Sequence, residues 1–162
     1  MAKLKGLKKI DKIINEFTAQ FGVTADLDTE FEAFCDQMKI GYTLVYGEMD
    51  KDFFIEDAQM RYPEIKADIF LWCLMHEIGH CLTEGLWTEE EREYFWAQKE
   101  ACAYMRDDKD RNDWYHALPD EFFATKWAGD YMRNHPKKIA KFWNKLQPAI
   151  MNMYIKNGLI EG

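Results

Sequence analysis

The segment HEIGH at residues 76–80 restricts the fold and chemistry of this chain more than any other stretch. It lies inside the apolar run 69–82, which consists mainly of strong helix formers and aromatic residues. Such a run predicts a buried α-helix. Its two histidines, His76 and His80, are four positions apart and would lie on one face of that helix, one turn apart.

This spacing suits a metal ion. On a helix, the Cβ atoms of His76 and His80 are about 5–6 Å apart, so both rings can reach one cation. Glu77 is turned about 100° from His76 and can act on a water molecule without binding the metal. Two neutral nitrogen ligands and a separate carboxylate base are what zinc-assisted hydrolysis requires. The alternative, two core histidines and a solvated glutamate, would leave costly unpaired polar groups in an apolar helix. We therefore predict a Zn²⁺ site.

A catalytic zinc ion takes three protein ligands and keeps one position for water. The third histidine of the longer pattern HExxHxxGxxH is absent, because Thr83 and Leu86 stand where it needs Gly and His. Two downstream carboxylates remain as candidates, Glu121 and Glu100. Glu121 is favoured because it begins a stripe of small and apolar residues, where an unpaired charge is expensive. That stripe would also let its helix approach Gly79 closely.

Hydrolysis also needs a donor for the negative charge that develops on the carbonyl oxygen. Tyr115 and His116 directly precede the helix of Glu121 and are the nearest candidates to a ligand in the sequence. His116 can equally be a surface or capping residue at a loop–helix junction, and the sequence leaves this alternative open.

The whole chain, 1–162, is predicted to be a single α+β domain that is mostly helical. Alternating apolar residues predict a strand at 40–46 and a short one at 53–55, which would form a small antiparallel sheet before the HEIGH helix. The charged stretch 107–113 is predicted to be a surface loop. Apolar stripes and a capping box predict further helices at 3–21, 88–106, 119–133 and 137–157.

Composition excludes several classes of function. The formal charge of −8 argues against a nucleic-acid-binding surface over the whole domain. The apolar runs are too short to span a bilayer, and no secretion signal is visible at the N-terminus. The four cysteines form no CxxC pair, which favours reduced thiols. We expect a cytoplasmic protein without direct nucleic-acid or membrane partners; the sequence does not predict an oligomeric state.

HEIGH at 76–80 and EFFATKWAGDYM at 121–132 together resemble the ImmA/IrrE-type zinc metallopeptidases, whose pattern pairs HE[LI]GH with ExxAxxFAxxLLM. The resemblance covers roughly residues 69–133. It implies a zincin-like, gluzincin-type fold in which both motif histidines and Glu121 bind zinc and Glu77 is the base. Members of this family cut repressor proteins and often come from phages and mobile elements, so a repressor-like substrate is implied by analogy.

The leading hypothesis is a zinc-dependent endopeptidase that hydrolyses a specific cytoplasmic protein. The alternative is a non-catalytic zincin-fold binding protein that sequesters a regulator. The complete motif favours the enzyme, because a purely structural site needs no base such as Glu77 and is closed by a fourth ligand. Hydrolysis of a non-peptide amide is a third option for the same zinc and carboxylate.

Overall fold

The computed structural model describes residues 5–28, 32–34, 37–41 and 57–158, and this part of the chain is mostly helical. Residues 57–61 are helical, and short 3-10 helices lie at Ala19–Phe21 and Glu84–Leu86. Among the described helices, none is both long enough and apolar enough to cross a membrane. The main α-helices are α1 (Leu7–Thr18), α2 (Ile69–Thr83), α3 (Glu89–Cys102), α4 (Asp108–Ala117), α5 (Pro119–Asn134) and α6 (Pro136–Lys156).

Among the described residues, three short strands precede α2, namely β1 (Thr24–Asp28), β2 (Glu32–Phe34) and β3 (Gln37–Gly41). They form one sheet in the order β1-β3-β2. The third strand pairs antiparallel with the second but parallel with the first, so the sheet is mixed rather than wholly antiparallel as predicted. Exposed Thr24 and Asp26 flank buried Ala25 in the first strand, a pattern too short to distinguish from a loop by sequence.

The predicted strands fit this sheet only in part. Residues 40 and 41 of the predicted strand 40–46 belong to β3. Residues 42–46, and the predicted strand 53–55, lie outside the described residues.

Helix α2 lies at the centre of the core. Trp72, Leu74 and Met75 are completely buried although they point in different directions around the helix. A helix that is apolar on all sides has to be surrounded by protein, which agrees with the sequence prediction. The Asp68 side chain caps the N-terminus by accepting a hydrogen bond of 2.8 Å from the backbone N–H of Phe70. The HEIGH motif falls in the second half of this helix.

Helix α5 packs directly against α2 at Gly79. A Cβ atom added to Gly79 would lie 2.4 Å from the carbonyl oxygen of Ala124, so the two backbones are in contact there. Ala124 and Ala128 are fully buried. The close approach predicted from the small-residue stripe is confirmed, and it sets the distance between the helices that carry the motif and Glu121.

We expect Gly79→Ala to destabilise the protein by about 1–3 kcal/mol, because the new methyl group meets a backbone carbonyl that cannot rotate away. Urea denaturation measures this loss. Gly85→Ala is the matched control, since a Cβ atom there meets nothing within 4 Å. Equal stability of the two variants would contradict the proposed backbone contact.

The prediction of a loop at 107–113 is wrong, because α4 begins at Asp108. Asp107 caps this helix by accepting a hydrogen bond of 2.9 Å from the backbone N–H of Asp110. Lys109 and Asp113, four positions apart, also stabilise the helix through an ion pair in which Nζ lies 2.8 Å from Oδ2. Local capping and charge pairing therefore make a helix of a stretch whose composition alone resembles a loop.

Candidate metal centre

Side chains from α2 and α5 meet at one point inside the protein. Oε2 of Glu121 lies 3.0 Å from Nε2 of His76 and in direct contact with Nε2 of His80. The imidazole rings are nearly perpendicular, at 89°, with their centroids 4.6 Å apart. One ligand atom from each of the three residues lies within 4.8 Å of the others. The structure thus brings the three predicted ligands together.

This donor set fits a divalent metal ion. Two imidazole nitrogens and one carboxylate oxygen are a recurring ligand set of catalytic zinc. Glu121 is only 2 % exposed, and a carboxylate so deeply buried requires a cation or strong donors beside it. Within the described ranges, no other group of three His, Cys, Asp or Glu side chains is close enough to share an ion.

The charges of the three residues are strongly coupled. Burial alone would raise the pKa of Glu121, but the charge of His80 and hydrogen bonds from both histidines hold it well below its ordinary value. Burial also lowers the pKa of His80, yet the charge and hydrogen bond of Glu121 outweigh this and raise it to about 9. For His76, burial prevails and lowers the pKa to about 4. At neutral pH the metal-free site therefore holds a carboxylate, an imidazolium and a neutral imidazole.

Thr125 fixes the orientation of His76. Its Oγ1 atom lies 3.0 Å from Nδ1 of His76, and the residue is 1 % exposed. A hydroxyl can accept a hydrogen bond from Nδ1–H or donate one to an unprotonated Nδ1, so it suits both the free and the metal-bound ring. Thr125 follows Glu121 by one helical turn. One face of α5 therefore supplies both the ligand Glu121 and the hydrogen-bond partner of the ligand His76. Thr125 was not predicted as part of the site, although a polar residue four positions after Glu121 on an apolar stripe indicates such a role.

The second oxygen of Glu121, Oε1, faces a lysine on another helix. Nζ of Lys99, on α3, lies 3.4 Å from Oε1 of Glu121 and 2.5 Å from Oδ2 of Asp120. Tyr115, on α4, lies near Glu121, and the Lys99 ammonium lies 5.5 Å from the centre of its ring. Burial and the charge of Glu121 raise the pKa of Tyr115, so its phenol stays protonated.

Glu77 lies at the edge of the cluster. It is half-buried, and its negative charge contributes to the raised pKa values of His80 and Tyr115. It is not one of the three converging ligands. A carboxylate next to the site but outside the ligand set is the arrangement that the motif predicts for a base.

Two further residues were singled out from the sequence: His116 as an oxyanion candidate and Glu100 as the alternative third ligand. His116 is buried at the end of α4, where burial lowers its pKa and the charge of Glu121 partly offsets this. Glu100 is exposed on α3 and is not part of the cluster. Of the two carboxylates left open by the sequence, Glu121 is the one that reaches the histidines.

Comparison of the chain with models of protein families, with curated proteins and with solved structures finds no match. The likeness to ImmA/IrrE-type enzymes thus remains a similarity of two short motifs. A function for this chain has to be inferred from the chemistry of its buried cluster.

Proposed function

We propose that this chain is a zinc-dependent endopeptidase that cleaves a specific protein substrate. The observation that carries the proposal is that His76, His80 and Glu121 each place a ligand atom within 4.8 Å of the others, next to Glu77. The motif resemblance supports a zincin-like fold and a repressor-like substrate. We also propose a cytoplasmic location, which the cysteine pattern of the sequence favours.

The cluster has a side that solvent can reach. The side chain of His80 is 19 % exposed, whereas those of His76 and Glu121 are 7 % and 3 % exposed. Glu77 is also half-buried rather than enclosed. A water molecule and a substrate carbonyl can therefore approach along His80 and Glu77. Three protein ligands and one accessible position favour catalysis over a purely structural site, which a fourth ligand would close.

Each residue of the site has its own role in the proposed hydrolysis. Zinc bound by these ligands would supply Lewis acidity to the attacking water and the scissile carbonyl. Glu77 takes the proton from the water and returns it to the nitrogen of the departing amine. Tyr115 is the preferred oxyanion donor of the two candidates, because its raised pKa keeps the phenol protonated and the residue lies near Glu121. His116 is the second candidate from the sequence, at 8 % exposure.

Removal of the metal tests this proposal. We expect the purified protein to bind about one zinc ion per chain, since the described residues contain one such donor set. Dialysis against a chelator should abolish cleavage of purified repressor proteins, and one equivalent of zinc should restore it. Magnesium serves as the control, because it prefers oxygen ligands and octahedral geometry. Cleavage that survives complete metal removal would refute the proposal.

A further inference from the structure

The way in which Glu121 binds a metal decides whether the site can catalyse. A carboxylate can offer one oxygen or both, and binding through both would raise the coordination number of a four-coordinate zinc site to five and crowd the position needed for water. The partners of each oxygen of Glu121 are therefore informative.

The two oxygens of Glu121 face different groups. Oε2 points at both histidines, whereas Oε1 lies 3.4 Å from the ammonium of Lys99. The side chains of Glu121 and Lys99 are only 3 % and 18 % exposed, so water screens this attraction weakly. An ion pair on Oε1 resists rotation of the carboxylate group and keeps that oxygen away from the histidines.

Lys99 also forms an ion pair with a second carboxylate, that of Asp120. Its ammonium lies 2.5 Å from Oδ2 of Asp120, and Oδ1 of Asp120 accepts a hydrogen bond of 2.9 Å from the backbone N–H of Glu121. Lys99, Asp120 and Glu121 thus form a closed set of contacts at the start of α5. Because its ammonium is engaged by two carboxylates, Lys99 is not available to bind substrate.

We infer that Lys99 is a positioning residue, which holds Oε1 of Glu121 so that the carboxylate binds metal through Oε2 alone. This inference rests on the proposed metal centre. It extends that proposal because it explains how the open coordination position is kept open. The residue responsible lies on α3, a helix that carries no ligand. A salt bridge that only joined α3 to α5 would affect stability without changing the coordination of the metal.

The visible spectrum of bound Co²⁺ tests this inference without any substrate, because four-coordinate Co²⁺ absorbs much more strongly than five-coordinate Co²⁺. We expect Lys99→Met to lose the strong four-coordinate absorption, as Oε1 becomes free to bind. We also expect its dissociation constant for zinc to rise about tenfold, as the ligand is no longer held in place. Lys99→Arg, which keeps the cation, should restore both properties. Lys109→Met, which removes an exposed ion-paired lysine on α4, is the matched control.

Each outcome decides the inference. A Lys99→Met protein with the wild-type spectrum and zinc affinity would overturn it, even if its melting temperature falls. Lys99→Gln is measured in parallel, so that a folding defect of the methionine variant does not prevent the test. Wild-type protein that takes up no Co²⁺ would overturn the metal centre together with the inference. Absence of peptidase activity would refute the proposed function alone, because the spectrum does not depend on cleavage.

Discussion

We expect Glu77→Gln to slow peptide hydrolysis by about 10²–10⁴-fold, the usual contribution of a general base. The variant should still bind one zinc ion, because Glu77 is not among the three converging ligands. Glutamine has nearly the same size as glutamate, but its amide cannot take a proton from water. The expected result is thus a loss of cleavage without a loss of metal, measured by a cleavage assay and by metal analysis of the same sample.

Glu100→Gln is the matched control for this substitution. Glu100 is exposed on α3 and is not part of the cluster, so its variant should keep both zinc and activity. A Glu77→Gln protein that still cleaves its substrate at the normal rate would exclude Glu77 as the base. A biological effect that persists in Glu77→Gln without cleavage would instead favour the alternative function, sequestration of a regulator.

The ligand-bearing helices could be predicted because their signals are local. The length and apolarity of 69–82 indicate a buried helix, and the spacing of its histidines places both rings on one face. Glu121 could be preferred over Glu100 because a charge on a small-residue stripe requires a partner. Burial was therefore the criterion that selected the carboxylate now found at the histidines.

The groups around the ligands could not be predicted in the same way. Lys99 reaches Glu121 from a different helix, and its sequence neighbours are the polar residues of a solvated helix face. Its role depends on the packing of α3 against the start of α5, which no local periodicity encodes. The first strand, β1, was missed for the opposite reason, since its pattern is local but covers only five residues, Thr24–Asp28.

The second large effect is expected from Glu121→Gln, which should weaken zinc binding by about 10³-fold as the only charged ligand is lost. Competition with a chromogenic chelator measures the dissociation constant. The substitution keeps the shape of the side chain, so loss of affinity reports the charge and not a cavity. Glu100→Gln again provides the control, and it should retain wild-type affinity. Unchanged zinc binding by Glu121→Gln would exclude Glu121 as a ligand.

The same variant should change how the stability of the metal-free protein depends on pH. His80 has its pKa raised to about 9 by Glu121, above the value of about 6.5 in an unfolded chain. A raised pKa stabilises the fold fully below about pH 6.5, and this contribution is lost as the pH rises towards 9. The lowered pKa of Glu121 stabilises the fold above about pH 4.3 and is lost in acid. Urea denaturation should therefore show the largest difference between wild type and Glu121→Gln near pH 5–6, and a much smaller one above pH 9.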